Sequence, residues 1–150
     1  MAEGLLRKLL LDQGVQKDFV VESAGTAPLA GAPATAASVG ACADEGIDLR
    51  GHAARAVTKR MIDRADLILT MESIHRDRVV GIQPSAAEKC FVITGYARKG
   101  DESGIADPIG LPIEDYRETF RQIEASVTAA MPKILALLEE GTEPSRNRNA

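Results

Sequence analysis

The sequence predicts an α/β fold, a three-layer sandwich in which helices cover both faces of a central parallel sheet. Segments rich in β-branched and aromatic residues alternate with segments of helical periodicity, and such strands pair in parallel through right-handed crossovers. The stretch 66–71 is almost continuously apolar, as expected of a strand buried on both faces. The chain has 150 residues, which is the size of one ordinary domain.

The first half of the chain is predicted to contain three helices and one strand. Apolar residues over 1–11 repeat at helical spacing. Residues 19–23 are β-branched and aromatic, which favours a strand. The Ala-rich segment 34–45 predicts a second helix. Thr58 is suited to cap a short third helix that ends at Arg64.

The second half is predicted to contain two strands, over 66–71 and 90–94, separated by a helix over 73–81. The polar, glycine-containing segment 95–110 is expected to be a surface loop. From Ile113 onward, apolar residues repeat at intervals of three and four, which predicts a long final helix.

Pro132 is expected to kink that helix because it removes an amide donor. We therefore expect a domain over 1–140 and a disordered polar tail over 141–150. Three strands make a thin sheet, since an α/β domain of this size more often has four or five. The strand count raises the question of what precedes Met1.

Composition excludes several classes of function. Eighteen Lys and Arg stand against 22 Asp and Glu, for a formal charge of −4, so no global positive field favours nucleic acid or anionic lipid. No apolar stretch approaches the roughly 20 residues that span a bilayer. Two cysteines are too few for a disulfide framework. We expect a cytoplasmic protein that binds neither nucleic acid nor membrane, and its oligomeric state stays open.

The sequence does not contain a standard nucleotide-binding, metal-binding or serine-nucleophile motif. Residues 95–100 have the glycine spacing of a nucleotide-binding loop, but Asp101 and Glu102 follow where Lys and Ser or Thr are required. His52 and His75 are not spaced as metal ligands, and no G-x-S-x-G motif occurs. The sequence predicts neither a cofactor nor a metal.

Three features remain as candidate functional residues: Ser23 at the end of a predicted strand, His52, and Asp107 before a proline. Taken singly, each is typical of turn or structural chemistry, because such side chains satisfy nearby backbone groups. Their order and surroundings nevertheless resemble the low-molecular-weight protein tyrosine phosphatases, above all the bacterial branch that includes protein arginine phosphatases. The similar stretches, between residue 1 and about 138, are MAEGLL at 1–6, ESAGT at 22–26, GIDL at 46–49, HAAR at 52–55, DLILTM at 66–71 and DP at 107–108.

The resemblance implies the fold of phosphotyrosine protein phosphatase I, but with a departure at the N-terminus. Members of the family open with a short central strand and a phosphate-binding loop, in which a nucleophilic cysteine and an arginine are separated by five residues. This chain begins at the Met of the helix that follows. Cys42 and Cys90 do not fit such a loop and are interpreted as packing residues. The resemblance therefore implies that this chain has no nucleophile and is inactive without residues upstream.

With that loop in place, the resemblance assigns roles to the remaining residues. Asp107 would be the general acid of a reaction that passes through a cysteinyl-phosphate intermediate. Ser23 and His52 would support the phosphate loop from behind. The substrate would be a protein that carries phosphotyrosine or phosphoarginine. Ile109 would line the pocket wall, where the family commonly has an aromatic residue.

Two alternatives stay open. The chain could be a degenerate, non-catalytic interaction module of the same fold. It could also be a thioredoxin-coupled arsenate reductase, but that activity needs further cysteines in the late loop and residues 94–110 contain none.

Overall fold

The computed structural model describes the backbone of residues 1–142 and the side chains of residues 1–139. In chain order the helices and strands are α1 (Ala2–Asp12), α2 (Ala36–Ala43), α3 (Lys59–Arg64), β1 (Ile68–Thr70), α4 (Ser73–Ile82), a 3-10 helix (Pro84–Glu88), β2 (Cys90–Val92), α5 (Ile93–Ala97) and α6 (Ile113–Thr142). The fold is α/β with a parallel sheet, as the sequence predicts.

Strands β1 and β2 pair in parallel, with Ile68 opposite Cys90 and Thr70 opposite Val92. Successive side chains of β1 point to opposite faces of the sheet. Leu69 packs into a large apolar cluster formed mainly by α1, α2 and α6. Ile68 packs into a smaller cluster that joins α3, α4, the 3-10 helix and β2. The sheet is thus the middle of three layers.

The large cluster lies along α6. Phe120, Ile123, Val127 and Ile134 of this helix are buried against Leu5 and Leu10 of α1. Their spacing of three, four and seven residues is the helical periodicity seen in the sequence. Helix α6 continues through Pro132.

The strand expected over 19–23 does not form, and that prediction was wrong. Among the residues that the structure describes, 19–24 form no β-ladder, and the first backbone pairing of this segment is the bridge between Gly25 and Ala56. The side chains alternate as in a half-buried strand, since Phe19 and Val21 pack on the core whereas Val20 is 90% exposed. The apolar pattern sets this burial, but a strand also requires a neighbouring backbone.

The loop expected over 95–110 begins later than predicted, because the chain turns from β2 directly into α5. Ile93 is buried in the large cluster, with Tyr96 and Ala97 packed against it. Lys133 also donates a hydrogen bond to the Tyr96 carbonyl at 2.6 Å. Burial of these side chains outweighs the weak helix propensity of Gly95.

Other boundaries shift by a few residues. Helix α2 is shorter than predicted, and the hydroxyl of Thr35 accepts a hydrogen bond from the amide of Ser38 at its start. Thr58 caps α3 as expected. Helix α6 extends to Thr142, two residues into the expected tail, and 143–150 lie outside the described residues.

Candidate active site

A cleft of about 740 Å³ opens at the head of α1 and at the carboxyl end of β1. Met1 and Glu3 line it from the helix, and Met71 and Glu72 line it from the residues directly after β1. Ligands of open α/β folds bind outside the carboxyl ends of the strands, so this is the expected place for a site. The predicted residues Ser23, His52 and Asp107 all line the cleft.

Ser23 is held at the first turn of α1. Its hydroxyl donates a short hydrogen bond to the carboxylate of Glu3. Arg7 pairs with the same carboxylate at 2.8 Å and donates to the Val21 carbonyl at 2.6 Å. The segment that carries Ser23 is thereby tied to α1 by side chains.

A second arginine, which lies later in the chain than Ser23, also fixes this segment. Arg55 donates from Nε to the Ser23 carbonyl at 2.8 Å. Across the bridge between Gly25 and Ala56, the Gly25 amide donates to the Arg55 carbonyl at 2.8 Å and the Val57 amide donates to the Gly25 carbonyl at 2.9 Å. Because His52 belongs to the same connection, the bridge brings the Ser23 and His52 segments together.

His52 lies in a turn, where its amide donates to the Leu49 carbonyl at 3.0 Å. Within the part of the chain that the structure describes, its imidazole makes no hydrogen bond or ion pair and is thus not committed to a structural partner. Nearby, the Arg50 guanidinium donates to Asp48 and holds the pKa of that carboxyl well below its usual range. Asp48 therefore lines the cleft as an ionised carboxylate paired with Arg50.

Asp107 lies on a loop anchored to the end of β1. The Ile105 amide donates to the Met71 carbonyl at 2.8 Å. Gly104 has φ +68, and a Cβ there would lie 2.8 Å from the same Met71 oxygen. Only glycine adopts this conformation freely and permits so close an approach. The anchor directs the residues that follow, including Asp107, into the cleft.

Thr94 holds the start of this loop from within the core. Its buried hydroxyl donates to the Asp101 carbonyl at 2.9 Å and accepts from the Gly104 amide at 3.1 Å. Two hydrogen bonds from Ser103 to the Asp101 carboxylate keep the pKa of Asp101 below its ordinary value.

The carboxyl of Asp107 is exposed and accepts a hydrogen bond from the Ile109 amide at 3.0 Å. The second carboxylate oxygen makes no hydrogen bond to the described residues. Pro108 is buried behind it. Ile109 itself is 70% exposed and lies outside the lining of the cleft, so its role as a pocket wall stays a prediction.

Cys42 and Cys90 are both fully buried and lie outside the lining of the cleft. Burial raises the pKa of each thiol. A neutral, inaccessible thiol is a poor nucleophile, so both cysteines are packing residues, as predicted.

Among the described residues no group of three or more His, Cys, Asp or Glu is placed to hold a metal ion. In that part of the chain, no helix is long and apolar enough to cross a membrane.

Sequence reasoning missed several polar residues of the cleft, among them Glu3, Asp48, Glu72 and His75. Glu72 lies two residues after β1, and His75 lies in the first turn of α4. Side chains just beyond the carboxyl end of a parallel strand are regular site candidates, and that signal was present in the sequence.

The structure is thus an α/β fold with a parallel sheet and a cleft at the carboxyl end of β1, lined both by Asp107 and by the first residues of α1. The family model described as low molecular weight phosphotyrosine protein phosphatase matches residues 1–141. This chain belongs to that family, as its sequence motifs indicate.

Individual relatives carry the names of protein phosphatases. The chain is 34% identical over 137 residues to a probable low molecular weight protein-tyrosine-phosphatase, EpsP, of Ralstonia nicotianae, covering 91% of this chain and 88% of the relative. It is 32% identical over 114 residues to a protein-arginine-phosphatase of Geobacillus stearothermophilus, covering 76% of each.

Solved structures show the same fold. A low molecular weight protein tyrosine phosphatase from T. tengcongensis superposes with a TM-score of 0.81 at 31% identity, over 88% of each chain. The YwlE arginine phosphatase from Geobacillus stearothermophilus gives 0.79 at 28% identity, over 95% of this chain and 88% of the other.

Proposed function

We propose that this chain forms the scaffold and general-acid part of a protein phosphatase that cleaves phosphotyrosine or phosphoarginine through a cysteinyl-phosphate intermediate. The observation that carries the proposal is the convergence of Ser23, His52 and Asp107 on one cleft at the head of α1. These residues lie on three separate segments, and local turn chemistry alone gives no reason for them to meet.

In the proposed reaction, a thiolate attacks phosphorus and the bond from phosphorus to the leaving oxygen or nitrogen breaks. Asp107 in its protonated form gives its proton to that leaving atom. The carboxylate then accepts a proton from a water molecule, which attacks the cysteinyl phosphate and releases inorganic phosphate and the thiolate. The free amides and positive end of the α1 dipole would stabilise the phosphate and the thiolate.

Ser23 and His52 are proposed as positioning residues that support the phosphate-binding loop. The Ser23 hydroxyl can accept a hydrogen bond from a loop while it donates to Glu3. The imidazole of His52 retains both nitrogens for such contacts. Neither residue is proposed to touch the reacting atoms.

The nucleophile itself is proposed to lie outside these 150 residues, because both cysteines of the chain are buried away from the cleft. The segment that carries it would pass between the 19–23 segment and β1, where it could pair with both. Parallel strands are roughly 4.8 Å apart, so one inserted strand separates its two neighbours by roughly 9.6 Å.

The upstream reading frame gives the first test. It should encode a short apolar strand followed by a cysteine and an arginine separated by five residues. A protein extended by that segment should hydrolyse p-nitrophenyl phosphate, whereas residues 1–150 alone should not.

In the extended protein, Asp107→Asn should lower kcat by about 10²–10⁴, the usual contribution of general acid catalysis. Asp101→Asn is a matched control on the same loop and should retain most of the activity. Turnover by residues 1–150 alone, or an Asp107→Asn variant as active as the parent, would refute the proposed roles.

Phosphotyrosine and phosphoarginine are both consistent with the site. The aliphatic side chain of Ile109 offers no ring to stack on tyrosine. Hydrolysis of phosphotyrosine and phosphoarginine peptides by the extended protein, compared with its Ile109→Tyr variant, separates the two. A shift of preference towards phosphotyrosine in the variant supports a wall role for Ile109, and unchanged selectivity refutes it.

The burial of both cysteines also favours a second candidate, a non-catalytic binding module. The upstream reading frame separates the two candidates. A stop codon directly before Met1, with no segment supplied by another route, would favour the binding module.

A further inference from the structure

Four exposed arginines gather beside the cleft, and we call them the arginine cluster: Arg55, Arg60, Arg64 and Arg78. Arg55 lines the cleft itself. Arg64 reaches the same carboxylate as Arg55, that of Glu22. Arg78 of α4 reaches the Thr26 hydroxyl at 3.4 Å. Three of the four arginines therefore contact the short segment 22–26 or its side chains.

Arg60 belongs to the cluster through the geometry of α3. It precedes Arg64 by one turn, and residues four apart share one face of a helix. Ile62, which lies between them in sequence, is buried. The two arginines thus extend from the solvent face of α3.

The cluster is poorly neutralised. Glu22 is the one carboxylate to which its members are paired, at 3.2 Å from Arg55 and 3.2 Å from Arg64. Among the described residues, Arg60 has no ion pair or side-chain hydrogen bond and Arg78 has no carboxylate partner. Within the described part of the chain, the four guanidinium groups therefore share ion pairs with a single carboxylate, that of Glu22.

The surroundings make this local excess unusual. The whole chain carries a formal charge of −4, and the carboxylates of Asp48, Glu72 and Asp107 also line the cleft. The lining of the cleft thus holds these acidic side chains together with Arg55, which belongs to the arginine cluster.

We infer that the arginine cluster docks acidic residues that flank the phosphorylated side chain of the protein substrate, and so selects substrates with a run of Asp or Glu on one side. This inference rests on the proposed function, since it assigns the substrate class of the same site. Guanidinium groups bind carboxylates through paired hydrogen bonds. An extended peptide advances about 3.3 Å per residue, so a few residues beyond the phosphorylated one would pass over Arg64 and Arg60.

A binding experiment tests the inference apart from catalysis. Residues 1–150 are titrated with two fluorescein-labelled peptides that differ only in four Glu or four Gln residues beside a phosphotyrosine, and Kd is measured by fluorescence anisotropy at low ionic strength. The acidic peptide should bind more tightly, and added salt should remove the difference because it screens exposed charges.

The variants give the sharper comparison. Arg60→Gln and Arg64→Gln should each weaken binding of the acidic peptide about two- to fivefold and leave the Gln peptide unaffected. Arg121→Gln is the matched control, since Arg121 is an exposed arginine of α6 that pairs with Glu118. Glu22→Gln should act in the opposite direction and tighten binding, because it removes the one neutralising charge.

Arg60 is the cleaner probe, since no described contact depends on its side chain. In the extended protein, Arg60→Gln should raise KM for the acidic phosphopeptide and leave hydrolysis of p-nitrophenyl phosphate unchanged. Equal binding of both peptides, an equal loss in Arg121→Gln, or tighter binding of a single-stranded oligonucleotide of the same charge would overturn the inference. An inactive extended protein whose binding still depends on Arg60 would refute the proposed function alone.

Discussion

Replacement of Thr94 by Val tests whether a buried hydroxyl positions the Asp107 loop. Valine has nearly the shape of threonine but lacks the hydroxyl, so the Asp101 carbonyl loses a donor and the Gly104 amide loses an acceptor. Each hydrogen bond contributes about 0.5–1.5 kcal/mol net. The free energy of unfolding should therefore fall by about 1–3 kcal/mol, since Thr94 is only 7% exposed and water replaces these partners poorly.

The free energy of unfolding is measured by urea denaturation of the Thr94→Val and Thr94→Ser variants. Serine keeps the hydroxyl and loses one methyl group, a loss of about 0.8 kcal/mol. Hydrogen exchange should also become faster at the Gly104 amide in Thr94→Val and stay slow in Thr94→Ser. If Thr94→Val unfolds at the urea concentration of the parent and the Gly104 amide keeps its protection, the assigned role of the hydroxyl is wrong.

Three further perturbations have expected outcomes. Gly104→Ala should lower the free energy of unfolding by about 1–3 kcal/mol through a strained φ and a contact with Met71; Gly100→Ala, at φ +91 with nothing within 4 Å, should cost less, and equal costs would exclude the contact. Phe120→Ala should cost about 3–5 kcal/mol in the same urea assay, because Phe120 is 2% exposed; a cost under 1 kcal/mol would contradict its place in the core. Burial raises the pKa of the Cys42 thiol, so above about pH 8.5 only the unfolded chain ionises it and the free energy of unfolding should fall as pH rises; a Cys42→Ala variant with the same pH dependence would refute this.

The sequence predicted those elements that local chemistry specifies. Thr35 and Thr58 cap helices because their hydroxyls can accept an amide of the first turn. Helix α6 follows from its periodic apolar residues. The segment 66–71 contains β1 because it is apolar on both faces.

Predictions failed where a distant partner decides the conformation. Residues 19–23 have a strand-like pattern but no neighbouring backbone to pair with among the described residues. Residues 95–97 look like a loop but form part of α5, because Ile93 and its neighbours pack against the core. Neither partner can be read from the segment itself, because the contacts are made across the fold.

The residues of the candidate site also fall into those that the sequence could predict and those that it could not. Ser23, His52 and Asp107 could be named from the sequence through family resemblance, and the structure brings them to one cleft. The contacts of Arg7 and Arg55 could not be predicted, because their backbone partners are the carbonyls of Val21 and Ser23. A side chain that bonds to backbone leaves no pattern at the residue it contacts.

These arginine contacts determine what the 19–23 segment can do. A backbone segment without a ladder satisfies its carbonyls with side chains or water, and two guanidinium groups serve the Val21 and Ser23 carbonyls here. Both arginines are fixed in turn by carboxylates, Arg7 by Glu3 and Arg55 by Glu22. Ser23 is therefore held by charge-assisted hydrogen bonds rather than by a sheet. Arg55 takes part in two sets of contacts. It fixes the Ser23 segment through the Ser23 carbonyl, and it belongs to the arginine cluster that is proposed to bind an acidic substrate. Binding of such a substrate would therefore act directly on the position of Ser23.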